Sequence, residues 1–283
     1  MKIGNLKLKN RFFLAPMEEI NDVIFRLLCK KAGAGLTYSS MTHPQSKQKL
    51  YLDDKPALQL FSSNEKGIKS FIKKYDKKVS LWDFNLGCPA KTAKKHGFGC
   101  FLTDLKKIEK ILKTMRQSTK KPVTIKIRKS PIAFNLLKLA EKYCDAISIH
   151  PRILSQGYSG VPDIKFAEEL KAKTKLPVIY SGNVDENNVK SLLKKFDFVM
   201  IGRKAIGNPN IFAKLTGEKS KITFNDYLKL LKKYPMYFRQ IKFQAMNFTK
   251  GAEGASEARK KLSMTKNEKE VLEIMKSVLL ACK

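Results

Sequence analysis

The sequence lacks any run that approaches the roughly 20 consecutive apolar residues of a membrane-spanning helix. It also lacks a signal peptide in its first residues, because Met1-Lys2-Ile3-Gly4 leads directly into a strand-like segment. These two absences predict a cytoplasmic protein that does not have the membrane as a partner.

Cysteine is scarce and poorly placed for cross-links or metal binding. The five cysteines are Cys29, Cys88, Cys100, Cys144 and Cys282; their number is odd and no two form a C-x-x-C motif. No His lies at a metal-ligand spacing from them. The sequence therefore predicts neither a disulfide framework nor a metal site.

Acidic residues are also few. The 283 residues include 57 Lys and Arg but only 25 Asp and Glu, so the formal net charge is +32. Lys-rich proteomes usually raise Glu in parallel, which is not the case here, so we favour a polyanionic partner. The Lys pairs are spread along the chain, which indicates a broad basic face and not a basic tail.

Short apolar runs rich in β-branched and aromatic residues alternate with amphipathic, Lys-bearing segments. Eight runs are predicted as strands: residues 12–17, 36–41, 57–62, 80–86, 123–128, 146–150, 177–181 and 198–202. Six helices are predicted between them: residues 22–32, 64–75, 105–117, 133–143, 164–173 and 186–196. Residues 42–56 are predicted as an irregular loop. This alternation predicts an α/β protein with a parallel (β/α)8 TIM barrel.

The strand pattern stops after residue 202. From about residue 222 the apolar residues follow a helical period, which Gly251 and Gly254 interrupt and residues 268–280 resume. We predict two domains: a catalytic barrel over residues 1–218 and a small all-helical domain over residues 219–283.

Barrel enzymes carry their catalytic groups at the carboxyl ends of the strands. Seven of the eight predicted strands end in or near polar or reactive residues, a concentration that a structural protein would not need. These segments are Ala15-Pro16-Met17, Gln59, Asn85-Leu86-Gly87-Cys88-Pro89, Lys126-Ile127-Arg128, His150-Pro151-Arg152, Ser181-Gly182-Asn183 and Gly202-Arg203.

Two of these regions suggest a chemistry. Glycines after the seventh and eighth strands of a barrel commonly let backbone N–H groups hold a phosphate. Gly182 and Gly202 with Arg203 fit that pattern, although glycine can also simply end a strand. Lys126 lies inside an apolar strand, where a Lys forms a Schiff base, stabilises an anion or is a solvated strand-end residue. Arg128 lies on the same face as Lys126.

Cys88 is held in a turn at a strand end, and residues 90–99 after it are predicted to form a long functional loop. A buried structural cysteine is the alternative interpretation. The other cysteines are interpreted as core residues (Cys29 and Cys144), a packing residue (Cys100) and a tail residue (Cys282).

Seven motifs, in one order and spacing from residue 2 to about residue 212, together resemble a known family. They are Ala15-Pro16-Met17 with Asp22 and Phe25-Arg26; Gln59; Asn85-x-Gly87-Cys88-Pro89 with Lys91; Gly97-x-Gly99-x-x-Leu102; Lys126-Ile127-Arg128; His150-x-Arg152 with Gln156-x-Tyr158-x-Gly160; and Met200-Ile201-Gly202-Arg203. The family that they resemble is the tRNA-dihydrouridine synthases. The chain has Ser181-Gly182-Asn183 where members usually have Asn-Gly-Asp.

The resemblance implies an FMN-dependent enzyme that reduces the C5=C6 bond of specific tRNA uridines to 5,6-dihydrouridine, with NADPH or NADH reducing the flavin. Its partners would be NAD(P)H and tRNA, whose phosphates the helical domain and the Lys-rich barrel face would hold, and we expect a monomer. The resemblance implies flavin contacts for Pro16, Met17, Glu18, Gln59, Lys126, His150, Ser181, Gly182, Asn183, Gly202 and Arg203. It implies substrate contacts for Asn85, Arg128 and Arg152. Cys88 would protonate C5 and must then remain a thiol.

The residues by themselves leave three other interpretations open. One is a flavin barrel that acts on a free pyrimidine, as dihydroorotate dehydrogenase does; the charge of +32 and the helical appendage count against it. Another is an aldolase-type barrel with Lys126 as the Schiff base, which bound flavin would exclude. The last is a non-catalytic RNA-binding barrel, which would bind tRNA without flavin or NADPH oxidation.

Overall fold

Eight parallel strands form the centre of the chain in the computed structural model, which describes residues 1–281. Cys282, predicted as a tail residue, lies outside the described residues. Before the eight strands, β1 (Lys2–Ile3) and β2 (Leu6–Lys7) form an antiparallel hairpin. The eight are β3 (Phe12–Leu14), β4 (Leu36–Thr37), β5 (Ala57–Leu60), β6 (Leu81–Leu86), β7 (Val123–Arg128), β8 (Ala146–His150), β9 (Val178–Ser181) and β10 (Phe198–Ile201).

The sheet closes on itself. Its strands pair in the order β4-β3-β10-β9-β8-β7-β6-β5, and parallel bridges from Tyr38 to Ala57 and from Thr42 to Leu60 join the two edges. Because neither edge is left open, the sheet is a barrel, and the predicted (β/α)8 class is confirmed.

Helices lie on the outside of the barrel, and all of the following except the last stand between two strands in the chain. They are α1 (Val23–Lys31), α2 (Ile68–Tyr75), α3 (Lys91–His96), α4 (Leu105–Ser118), α5 (Ala133–Tyr143), α6 (Ile164–Ala172), α7 (Val189–Lys195) and α8 (Ile211–Thr216). In α4 the buried residues Ile108, Ile111, Leu112 and Met115 recur at helical spacing and form the face that packs inward. The Asp104 carboxylate caps this helix by accepting from the backbone N–H groups of its first turn.

Several sequence predictions need correction. The second strand is only two residues long, because its ladder with β3 ends at Thr37, and Tyr38 and Thr42 pair with β5 only as isolated bridges. Residues 90–99 are not a loop but contain α3. Ala93 is the buried residue of this helix, which ends at Gly97 with φ +67. Helix α8 was not predicted. The irregular segment 42–56 is confirmed to contain no helix.

Side chains alternate between the inside and the outside of the barrel. On β6, Leu81 belongs to the interior apolar cluster, whereas Trp82 and Phe84 belong to the cluster between sheet and helices. Asp83 and Asn85 share the parity of Leu81 and therefore point inward. Inside the barrel, the polar side chains of this strand therefore lie toward its carboxyl end, and the apolar Leu81 lies toward its amino end.

The chain after α8 is helical as predicted. It forms α9 (Phe224–Leu231), α10 (Phe238–Phe248), α11 (Ala255–Met264) and α12 (Glu268–Ala281), of which α11 was not predicted. Phe224, Tyr227 and Leu262 belong to the same hydrophobic cluster as the barrel helices, so the helical part shares a core with the barrel. The proposed domain boundary at residues 218 and 219 stays a prediction.

One glycine permits this close packing. Gly207 has φ +69, and a Cβ there would lie 1.9 Å from the carbonyl oxygen of Asn247 in α10. None of the helices within residues 1–281 combines the length and the apolar character needed to cross a membrane.

Candidate active site at the mouth of the barrel

A cavity of about 770 Å³ opens at the carboxyl ends of the strands. Its volume is in the range of small-molecule and cofactor sites. All 15 residues that were predicted as site residues line it: Pro16, Met17, Glu18, Gln59, Asn85, Cys88, Lys126, Arg128, His150, Arg152, Ser181, Gly182, Asn183, Gly202 and Arg203. The fold thus brings the predicted set together, while the role of each residue remains a prediction.

The strand register puts the inward polar residues at matching heights. Asn85 of β6 lies beside Lys126 of β7, and Arg128 lies beside His150 of β8. Because neighbouring parallel strands keep the same parity, all four side chains point into the same mouth.

Cys88 lies in a turn that is held from both sides. The Asn85 Oδ1 atom accepts from the backbone N–H of Gly87 at 3.1 Å and of Cys88 at 2.9 Å. The Cys88 carbonyl accepts from the backbone N–H of Cys100 at 3.2 Å and from its thiol at 3.1 Å. Gly99 has φ +62, and a Cβ there would lie 2.7 Å from the Cys88 carbonyl oxygen, so this approach requires glycine. Cys100, predicted as a packing residue, thus also supports this turn.

The Cys88 side chain is suited to donate a proton. Burial raises the pKa of its thiol, and the nearby Glu18 raises it further. The backbone N–H of Ala90 and the charges of Arg128 and Lys126 oppose this shift without reversing it. The group therefore remains a thiol at neutral pH.

Two cations lie beside this thiol. Burial and the neighbouring Arg128 lower the pKa of Lys126 to about 8, against the opposing charge of Asp83. Lys126 is therefore still mostly protonated at pH 7. The Arg128 guanidinium donates to the carbonyls of Gly87 at 3.2 Å and Gly157 at 2.7 Å, so it ties the Cys88 turn to the loop after β8.

His150 is a neutral ring among cations. Burial and the charges of Lys126, Arg128, Arg152 and Arg203 lower the pKa of His150 to about 2. Its Nε2 atom lies 2.9 Å from Nη1 of Arg152. Since a guanidinium only donates, Nε2 accepts, and the ring proton must be on Nδ1.

Arg152 and Arg203 converge on one neutral side chain. The Asn183 Oδ1 atom accepts from Nη2 of Arg152 at 3.1 Å and also from Nη2 of Arg203. Asn183 has φ +49, a backbone conformation that Asn tolerates better than most residues. An amide carries no charge, and within residues 1–281 neither guanidinium forms an ion pair with a carboxylate, which suits a doubly negative phosphate.

Gly202 keeps space open next to these arginines. Among the described residues, the atoms nearest to a Cβ at this position would be Ala15 Cβ at 3.7 Å and Met17 Sδ at 3.8 Å. Packing within the chain therefore does not require glycine here. A ligand phosphate close to the backbone would require it, so the residues fit a phosphorylated cofactor.

Sequence reasoning missed two residues of this region. Asp83 is completely buried two positions before Asn85, and the same inward parity in an apolar strand could have identified it. Lys250, after α10, lines the cavity, and its ammonium donates to the Arg203 carbonyl at 3.1 Å. No local pattern marked Lys250, because only the packing of the helical part brings it to the mouth.

The helical part also holds the loop between β3 and α1. The Asp22 Oδ2 atom accepts from Gln240 Nε2 at 2.9 Å, from Gln244 Nε2 at 2.7 Å and from the Tyr227 hydroxyl at 3.2 Å. Gln244 also donates to the Ile20 carbonyl at 2.8 Å. These bonds anchor the segment that follows the cavity-lining residues of β3.

A closed parallel barrel with a thiol, cations and a phosphate-type cradle at the carboxyl ends of its strands has the architecture of a (β/α)8-barrel enzyme. The sequence matches the protein-family model described as "Dihydrouridine synthase (Dus)" over residues 13–281. The chain belongs to this family, and thus to its class of enzymes.

Individual relatives agree with the family assignment. The "tRNA-dihydrouridine synthase B" of Pasteurella multocida (strain Pm70) is 32% identical over 238 residues, which cover 75% of this chain and 70% of the relative. The protein of the same name from Escherichia coli (strain K12) is 32% identical over 239 residues, covering 76% of this chain and 74% of the relative.

Solved structures agree with the fold. Morphinone reductase superposes with a TM-score of 0.56 at 14% identity, over 80% of this chain and 91% of that one. The old yellow enzyme from Trypanosoma cruzi superposes with a TM-score of 0.56 at 12% identity, over 80% and 94%. At these identities the likeness concerns the barrel alone.

Proposed function

We propose that this enzyme reduces the C5=C6 bond of specific uridines in tRNA to 5,6-dihydrouridine, with FMN as cofactor and NADPH or NADH as the electron source. The observation that carries the proposal is the convergence of a protonated Cys88, two cations and a phosphate-type cradle in one cavity of a dihydrouridine synthase chain.

The cavity residues divide into two groups that fit the two ends of FMN. The phosphate would occupy the open space next to Gly202 and would bind to the Arg203 guanidinium and the neutral His150 ring. Gly182 and Asn183 would lie beside it. The Gln59 amide and the Lys126 ammonium would bind the pyrimidine edge of the ring system. Pro16, Met17 and Glu18 would line its side.

A bound, reduced FMN would supply the hydride that adds to C6 of the uracil. Lys126 would place a positive charge beside the pyrimidine edge, where negative charge collects on reduction. Asn85 and Arg128 would orient the uracil. The Cys88 thiol would donate its proton to C5, and the charges of Arg128 and Lys126 would stabilise the thiolate that is left.

A large polyanion fits the surface better than a free nucleoside. The net charge of +32 favours association with phosphates through counterion release. A uridine in folded tRNA must be unstacked before it can enter the cavity, as other base-modifying enzymes require. Cations at the mouth such as Lys250 and Lys204 would hold the flanking backbone.

The test is to incubate the enzyme with unmodified tRNA, FMN and NADPH and to count dihydrouridine by mass spectrometry of the digested nucleosides. Wild type should form dihydrouridine in tRNA and reduce free uridine far more slowly. Cys88→Ala should bind FMN and tRNA normally but lose about 100-fold or more in rate. Cys100→Ser, a neighbouring thiol whose replacement can still donate to the Cys88 carbonyl, is the matched control and should stay near wild type. Wild-type turnover by Cys88→Ala would refute the role of its thiol.

A further inference from the structure

A chain of directed hydrogen bonds runs beneath the mouth of the barrel. The buried Asp83 Oδ2 atom accepts from Gln59 Nε2 at 2.6 Å, and Gln59 Oε1 accepts from Asn85 Nδ2 at 2.8 Å. Asn85 Oδ1 in turn accepts from the backbone N–H of Cys88 at 2.9 Å. Gln59 and Asp83 are 1% and 0% exposed, so water does not compete for these bonds.

The backbone N–H of Cys88, at one end of this row of hydrogen bonds, fixes the direction of every bond in it. A backbone N–H can only donate, so Asn85 must turn its oxygen toward the Cys88 turn and its nitrogen toward Gln59. Gln59 must then accept with Oε1 and donate with Nε2. The whole arrangement therefore needs an acceptor at its far end.

Asp83 supplies that acceptor in either protonation state. Burial raises the pKa of Asp83 to about 7, against the bonds from Gln59 and Thr124 and the charge of Lys126. The Thr124 hydroxyl lies against Oδ1 and can donate or accept, so a proton on Oδ1 still leaves Oδ2 free to accept from Gln59.

We infer that Asp83 is a positioning residue: by accepting from Gln59, its carboxyl group holds the amides of Gln59 and Asn85 so that each offers its second N–H to a ligand in the cavity. Within the described residues, neither second N–H has another acceptor. Two N–H donors without a protein acceptor among the described residues favour carbonyl oxygens of a ligand, such as those of a pyrimidine ring. The link to flavin and uridine rests on the proposed function, but the direction of the amides does not.

Two variants distinguish whether Asp83 acts as a hydrogen-bond acceptor or through its negative charge. Asp83→Asn removes the charge but keeps an oxygen, which the donors at the Cys88 end oblige it to turn toward Gln59. Asp83→Ala removes both. FMN affinity, measured by fluorescence quenching on the flavin-free protein, should stay within about threefold of wild type for Asp83→Asn and fall roughly tenfold or more for Asp83→Ala.

The control is Asp76→Ala, which removes a carboxylate that accepts from Trp82 Nε1 at 2.8 Å, away from the cavity lining. It should keep the wild-type affinity. Equal losses in both Asp83 variants would show that charge matters and not the acceptor, and would overturn the inference. So would unchanged affinity in Asp83→Ala, or an equal loss in the Asp76 control.

Side-chain amide hydrogen exchange, followed by NMR on the flavin-free protein, tests the same idea without a ligand. The Gln59 side-chain N–H that is bonded to residue 83 should be protected in wild type and Asp83→Asn, and at least about tenfold less protected in Asp83→Ala. If Asp83→Ala does not fold, wild type alone decides: exchange at Gln59 as fast as at the exposed Gln117 overturns the inference. Protection in a protein that binds no flavin and forms no dihydrouridine would support the inference and refute the proposed function.

Discussion

Replacing Lys126 with Met should stabilise the flavin-free protein, although we propose that Lys126 binds the flavin. Burial and Arg128 lower the pKa of Lys126 from 10.5 to about 8. A difference of about 2.5 in pKa between unfolded and folded chain corresponds to about 3 kcal/mol of unfolding free energy. The side chain is partly open to the cavity, so solvent screening reduces this value and we expect a net gain of about 2 kcal/mol at pH 7.

The sign of the pH dependence follows from which state binds the proton more weakly. Because the folded-state pKa is the lower one, the cost of burying the Lys126 ammonium is fully present below about pH 8. It disappears as the pH rises toward the unfolded-state value. The advantage of Lys126→Met should therefore be largest near neutral pH and clearly smaller at about pH 9.5.

Urea unfolding at the two pH values measures this difference, and Trp82, the only Trp and fully buried, provides the fluorescence signal. Lys113→Met, at an exposed position of α4, is the control and should change the stability by no more than about 0.5 kcal/mol. A wild type more stable than Lys126→Met at pH 7, or a difference independent of pH, would refute the reasoning. The same variant should bind FMN more weakly, because stability and function oppose each other at this position.

Four further outcomes follow from the structure. Gly99→Ala should lower the free energy of unfolding by at least about 2 kcal/mol in urea titrations, because its Cβ would lie 2.7 Å from the Cys88 carbonyl oxygen at φ +62. Gly202→Val should leave that stability nearly unchanged but block FMN binding in equilibrium dialysis, since its side chain would fill the cradle. Gln244→Leu should cost about 2 kcal/mol in thermal unfolding, because it removes the bonds to Ile20 and Asp22. tRNA affinity, measured by filter binding, should fall at least about tenfold between roughly 50 and 200 mM salt, and a flat response would contradict the basic face.

The repeating pattern of strands and helices could be predicted from the sequence because it depends on residues close together in the chain. Alternating apolar residues in β6 and β7 define strands whatever surrounds them, and the period of α4 defines its buried face. The polar residues at the strand ends were readable for the same reason, once a parallel barrel was assumed. The short β4 was overestimated, because its limits depend on where a neighbouring strand stops pairing.

By itself, the amino-acid order determined which residues face inward, and hence that Gln59, Asn85, Lys126 and His150 share one mouth. Only the tertiary structure decided how these groups contact one another. The closure through Tyr38 and Ala57, the approach of Lys250 to Arg203 and the acceptor role of Asp83 all join residues far apart in the chain. The reason is physical: hydrogen-bond direction, burial and pKa depend on distances across the barrel, which spacing along the chain does not encode.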